Sequence, residues 1–186
     1  MPSLSRFFSL VEQLARQHRT LAGIPLTGPL DMDHFTQFVC QTHPVKVLYG
    51  LDTSTDAPCE NLKKMISGLS VCINGLWLIV LNTEHTAERN RATLMEEFSH
   101  ILLGHPPSTV SLNPIALQQH RTYNPQHEKE AYSFGAALLV PYDELRTLAV
   151  IEKRPRDEIA NHFLVSEQLI QYRMQVTYVW RELKGQ

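Results

Sequence analysis

Apolar positions recur along this chain at two periods, and the period changes at turn residues. Phe7, Leu10, Val11, Leu14 and Leu21 form a helical stripe over residues 4–21, closed by Gly23 and Pro25. Asp31 caps a second predicted helix that runs to about Cys40. Strand-like segments follow at residues 44–49, 69–73 and 76–81. The last two are joined by Asn74-Gly75, a dipeptide that favours the positive φ angles of a tight hairpin turn. A third helix is expected over about residues 86–103, with Gly104 as its stop and Leu94, Phe98 and Ile101 on one apolar face. Asn124 and Pro125 suit the N-cap and first turn of a further helix. In it Ala131, Phe134, Ala137 and Leu138 keep the helical spacing until Pro141. The pattern predicts an α+β fold in which a small antiparallel sheet, packed with helices, leads into the helix at residues 86–103.

That helix carries the most specific chemistry in the chain, the run Glu96-Glu97-Phe98-Ser99-His100. It matches the zinc-hydrolase pattern H-E-x-x-H with the first histidine replaced by glutamate. In that pattern residues i and i+4 share a helix face and bind the metal, and the glutamate between them activates water. The spacing of Glu96 and His100, 100 − 96 = 4, is preserved, and Glu97 keeps the place of the general base. A carboxylate oxygen binds zinc at nearly the same distance as an imidazole nitrogen, so the altered run retains ligand chemistry. The candidate third ligand is Glu128, in the first turns of the helix that opens at Asn124. A carboxylate there is also favoured simply by the helix dipole.

The two segments RATLMEEFSHILLGH and EKEAYSFGAALLVP resemble the ImmA/IrrE family of zinc metallo-endopeptidases. The pattern of that family is roughly R-x-x-T-x-x-H-E-x-x-H-x-L-x-H followed by E-x-x-A-N/D-x-F-A-x-x-L-L-x-P. The order of elements on either side is similar too, so the resemblance covers nearly the whole chain. It implies a zincin, gluzincin-like catalytic domain over residues 1–186, with metal ligands at Glu96, His100 and Glu128 and a base at Glu97. It also implies Zn²⁺ as cofactor and a helix-turn-helix repressor as protein substrate. Two carboxylates and one imidazole leave the ion less net positive charge than a two-histidine site, which also admits a harder metal such as Mn²⁺.

The chain departs from the family pattern at Glu96 and at Tyr132, which replaces Asn or Asp one turn after Glu128. A glutamate ligand has no ring N–H to place and accepts a donor, so a tyrosine hydroxyl is a suitable partner for it. The alternative is that Tyr132 packs in the core. Between the two motif helices lies HPPSTVSLNPIALQQHRTYN, read as a loop over the site. Its His105, His120 and Tyr123, with His127 just beyond, are candidates to approach the metal, stand in for Glu96 or hydrogen-bond an oxyanion. For His105, past the helix stop, the competing role is a surface or capping one, and His127 is expected to point away from the site.

Charge and composition narrow the remaining classes. A formal charge of −2 and a pI near 6.5 provide no basic field for nucleic acid. Nothing at the N-terminus reads as a signal peptide and no segment as a membrane span, so a cytoplasmic location without membrane contact is expected. Cys40, Cys59 and Cys72 lack paired spacing and read as buried free thiols. Residues 155–186 read as helical and similar to a helix-turn-helix, through Ile159, Ala160, Phe163, Val165, Ser166 and Ile170, with Ser166 capping a long final helix. Leu164 stands where glycine usually makes the turn. Arg156, Arg173, Arg181 and Lys184 are balanced there by Asp157, Glu158, Glu167 and Glu182, a poor composition for phosphate contact. Packing within the protein or recognition of a protein partner suits these helices better. The competing functions are thus a binding module that kept the fold without tight metal binding, and a DNA-binding regulator.

Overall fold

The computed structural model describes residues 4–50, 68–107, 110–112, 119–121 and 124–184. In chain order the elements are α1 (Arg6–Leu21), α2 (Met32–Thr42), β1 (Val45–Tyr49), β2 (Gly68–Ile73), β3 (Leu76–Leu81), α3 (Ala87–Leu102), β4 (Val110–Leu112), β5 (Gln119–Arg121), α4 (Pro125–Leu139), α5 (Tyr142–Arg146), a π-helical turn (Thr147–Ile151), α6 (Arg156–Phe163), α7 (Glu167–Val176) and α8 (Val179–Lys184). They form an α+β, zincin-like fold. Two compact units are distinguished, Val39–Ala131 and Met1–Phe38 with Tyr132–Gln186.

The unit Val39–Ala131 is built on a three-stranded sheet of order β1-β3-β2. Asn74 and Gly75 have φ of 51° and 83°, and the hairpin they make pairs Ile73 with Leu76 and Gly68 with Leu81. The expected antiparallel pairing holds for this hairpin. The other pairing differs: β1 runs parallel to β3, from Val45 opposite Trp77 to Tyr49 opposite Leu81. A parallel pair needs a long connection, and residues 50–75 provide one. Ile79 and Leu81, two apart and so on one face of β3, are buried. α3 packs on β2 and β3.

Local signals set both ends of α3. The Thr86 hydroxyl accepts a hydrogen bond from the Arg89 N–H at 3.3 Å. At the other end Gly104 turns into the left-handed region at φ 69°. Its N–H bonds the Ile101 carbonyl at 3.0 Å, and the His105 N–H reaches back to the His100 carbonyl at 2.9 Å. Leu94, Phe98 and Ile101 are buried as expected, but so are Met95, Glu97, Ser99 and His100. The helix is therefore covered nearly all round over this stretch, and its catalytic-type residues are withdrawn from water. The segment read as a loop contains a short hairpin of β4 and β5, with Val110 opposite Arg121.

In the other unit, α1 buries Val11, Ala15 and Arg19. Leu10 and Leu21, assigned from sequence to the apolar stripe, are 55% and 69% exposed. Hydrogen bonding from Arg19 explains the rotation. Its guanidinium donates to the carbonyls of Leu138 at 2.9 Å, Pro25 at 2.6 Å and Gly28 at 3.1 Å. A buried cation is tolerable only with such acceptors. Arg173, likewise buried, donates to the Val140 carbonyl at 3.1 Å and pairs with Glu12 at 2.6 Å. Two arginines thus bind carbonyls at the C-terminal end of α4, where the helix dipole favours positive charge.

The C-terminal helices begin as the sequence indicates. Ser166 caps α7, accepting from the Leu169 N–H at 3.3 Å. Leu164 takes the left-handed turn itself, at φ 56° and ψ 46°. That conformation costs a non-glycine residue about 1–2 kcal/mol. The long final helix does not form, because Tyr178 at φ 61° separates α7 from α8. Cys40 is exposed and Cys72 half-buried, contrary to the expectation of buried thiols, and Cys59 lies outside the described residues. Among the described residues no helix is long and apolar enough to cross a membrane.

Candidate metal centre

The motif residues of α3 and the first turns of α4 both fall in the unit Val39–Ala131. Asn124 starts α4 as its composition predicts, its side-chain oxygen accepting from the N–H groups of Gln126 at 3.0 Å and His127 at 3.4 Å. This start presents Glu128 to α3. Glu128 Oε2 stands 3.7 Å from His100 Nε2, beyond hydrogen-bonding distance. Two ligands bound tetrahedrally at zinc distances stand about 3.4 Å apart, so the pair is spaced close to the way one ion would space it. Glu97 and His100 are 7% and 9% exposed.

Glu96 is half-buried, one turn before His100 on α3. Among the described residues no three His, Cys, Asp or Glu side chains stand close enough together to hold an ion. Of the three candidate ligands read from the sequence, His100 and Glu128 are the pair brought together. The i, i+4 relation of Glu96 to His100 places their Cβ atoms within about 6 Å. Glu96, His100 and Glu128 would together offer two carboxylates and one imidazole, a donor set that suits a divalent ion such as Zn²⁺.

His105 is not at the surface. It is 8% exposed, and its Nδ1 lies 3.0 Å from His100 Nδ1. The left-handed Gly104 reverses the chain after α3, so a residue past the helix stop returns to the ligand. On its far side His105 Nε2 meets Glu130 Oε2 at 3.2 Å. Gln126 donates to the other carboxylate oxygen of Glu130 at 2.5 Å. The ring of His127 stacks on His105 with centroids 4.3 Å apart and planes within 11°, although its position beside Glu128 suggested that it points away. Burial, as the largest effect, pushes the His105 imidazole below the ordinary histidine value, against the pull of Glu130. The hydrogen bond from Gln126, and after it the one from His105, holds the Glu130 carboxyl below the ordinary carboxylate range.

Glu130 and Gln126 were missed in the sequence. Their only local signal is an i, i+4 pair on α4, and nothing in the pattern links them to a histidine on another element. Tyr132 packs its ring edge-on against Tyr172, centroids 4.8 Å apart. The hydroxyl of Tyr172 pairs with Ser133 Oγ at 2.8 Å. His120 lies on β5, and Tyr123 is outside the described residues.

The fold is similar to that of a solved Mycobacterium tuberculosis transcriptional regulator, with a TM-score of 0.60 at 14% sequence identity. The match covers 89% of this chain and 46% of that one, so this chain spans less than half the regulator's length. No curated protein sequence gives a significant match. The profile of the IrrE N-terminal-like domain matches residues 59–175, a stretch that takes in both units and all of the candidate ligands. On that match the chain belongs to the Peptidase M78 family of metallopeptidases.

Proposed function

We propose that this chain is a metal-dependent endopeptidase, a single peptidase domain over residues 1–186. In this reading Glu96, His100 and Glu128 hold one divalent ion, Zn²⁺ or alternatively Mn²⁺, and Glu97 is the general base. The observation that carries it is the approach of His100 Nε2 to Glu128 Oε2 at 3.7 Å, with Glu97 buried on the same helix. An ion held there supplies Lewis-acid polarisation of water and of the peptide carbonyl. Glu97 accepts the proton that the attacking water gives up and delivers it to the leaving amine, a role its burial assists by limiting competing solvent. The substrate class is a helix-turn-helix repressor, on the strength of the motif resemblance.

A second reading, a regulator that acts by binding alone, draws on the fold likeness to a transcriptional regulator and on the helix pair α6–α7. Contact with DNA is the weaker form of it. Arg156 is engaged by Glu167 at 2.9 Å, and Arg173 is buried against Glu12, so neither is offered to phosphates. Recognition of a protein partner fits these helices better.

The test is co-expression with a helix-turn-helix regulator encoded nearby. Wild type should yield a shortened product, and Glu97→Gln should retain metal while cleaving about 10² to 10⁴ times more slowly. His100→Ala and Glu128→Ala should each lose stoichiometric metal in elemental analysis. Equal cleavage by wild type and Glu97→Gln removes Glu97 from the base role. Binding of the regulator without cleavage by either favours the second reading.

A further inference from the structure

We propose that His105 and Glu130 act as positioning residues for His100, forming a directed hydrogen-bond relay that presents its Nε2 lone pair toward Glu128. The inference rests on the metal-site reading given above and extends it to residues outside the ligand set.

The distances fix the direction of the relay. Between His100 Nδ1 and His105 Nδ1, 3.0 Å apart, one nitrogen carries a proton and the other a lone pair. A carboxylate only accepts, so the contact of Glu130 Oε2 with His105 Nε2 at 3.2 Å puts a proton on that nitrogen. With Nε2 protonated, a neutral His105 offers its lone pair at Nδ1 and accepts from His100 Nδ1–H. His100 then has its remaining lone pair at Nε2, the atom that faces Glu128. The opposite arrangement has a doubly protonated His105, with His100 donating from Nε2 to Glu128. That would turn a proton toward Glu128 Oε2 at 3.7 Å, beyond hydrogen-bonding distance. It also sets a cation face to face with the imidazole of His127.

Three further features hold the relay in place. Gln126 fixes the second oxygen of Glu130 at 2.5 Å, His127 covers one face of His105, and the Gly104 turn ties the His105 backbone to the His100 carbonyl at 2.9 Å. The consequence bears on the altered motif. With Glu96 in the first ligand position, His100 is the sole imidazole of the proposed set, so metal affinity depends on the orientation and basicity of one ring.

Two measurements test this on the full chain. Long-range proton–nitrogen NMR of the zinc-free protein at neutral pH should find His100 as the Nδ1–H tautomer and His105 as the Nε2–H tautomer. The reverse assignment, or a doubly protonated His105, overturns the relay. Zinc titration against a chromogenic chelator should find His105→Leu and Glu130→Gln weaker than wild type by about 10 to 100-fold, the usual loss for a ligand's outer partner. His105→Asn, whose side-chain oxygen can accept from His100 Nδ1–H, should recover most of that loss. Recovery separates positioning from a general packing defect. Zinc bound equally by wild type, His105→Leu and Glu130→Gln, but lost in His100→Ala, overturns the relay and leaves the metal site standing. No zinc on the wild type overturns both.

Discussion

In the proposed ligand set, the carboxylate at position 96 is the departure from the family motif that bears on what the site would hold. Glutamate carries charge where histidine carries none, and its oxygen is a weaker partner for zinc than an imidazole nitrogen. Glu96→His should therefore tighten zinc binding, by roughly tenfold, in the same chelator titration. The gain should be larger when combined with Tyr132→Asn, which offers the new ring an acceptor. If the double variant binds no more tightly than the product of the two single effects, the two departures from the family pattern are independent. In the structure Tyr132 packs against Tyr172, so the coupling, if found, has to act at the expense of that contact.

At the scale of elements, the turn after α3 shapes the surroundings of His100 alongside the helix itself. An amphipathic helix with a threonine cap is common; a stop that folds the next residue back onto a ligand is specific. Gly104 permits it by adopting φ 69°, and a Cβ built there meets nothing within 4 Å. The cost of Gly104→Ala is therefore conformational, about 1 kcal/mol, and denaturant unfolding should register it as a lower midpoint. Because His105 follows directly, the same variant should weaken zinc binding in the direction of His105→Leu. A stability loss with unchanged zinc affinity separates the turn from the relay. The mixed sheet makes a similar point about elements. The hairpin β2–β3 is encoded by Asn74-Gly75, whereas the parallel partner β1 is chosen by a contact across residues 50–75, which leaves no local signature.

For the whole molecule, all three proposed ligands and the base belong to the unit Val39–Ala131. Ligand binding to the folded chain alone stabilises it by mass action, about 2.7 kcal/mol at a hundredfold excess over Kd. For a protein of 186 residues that corresponds to a melting temperature raised by about 5–10 °C. Zinc should produce this shift in wild type, a chelator should reverse it, and His100→Ala should abolish it. An unchanged melting temperature under saturating zinc argues for the binding-module reading. Sequence alone determined the first four helices, the hairpin β2–β3, the family resemblance and the ligand candidates, because caps, turn dipeptides, apolar period and i, i+4 spacing act within a few residues. It misjudged the buried face of α1, since Arg19 is drawn inward by carbonyls at Pro25, Gly28 and Leu138, a demand no periodicity records. Only the tertiary structure decided that Glu128 meets His100, that His105 returns to the site, and that Glu130 and His127 join it. Those contacts link residues on α3, in the turn that follows it and in the first turns of α4, so they exist only once these distant segments have come together.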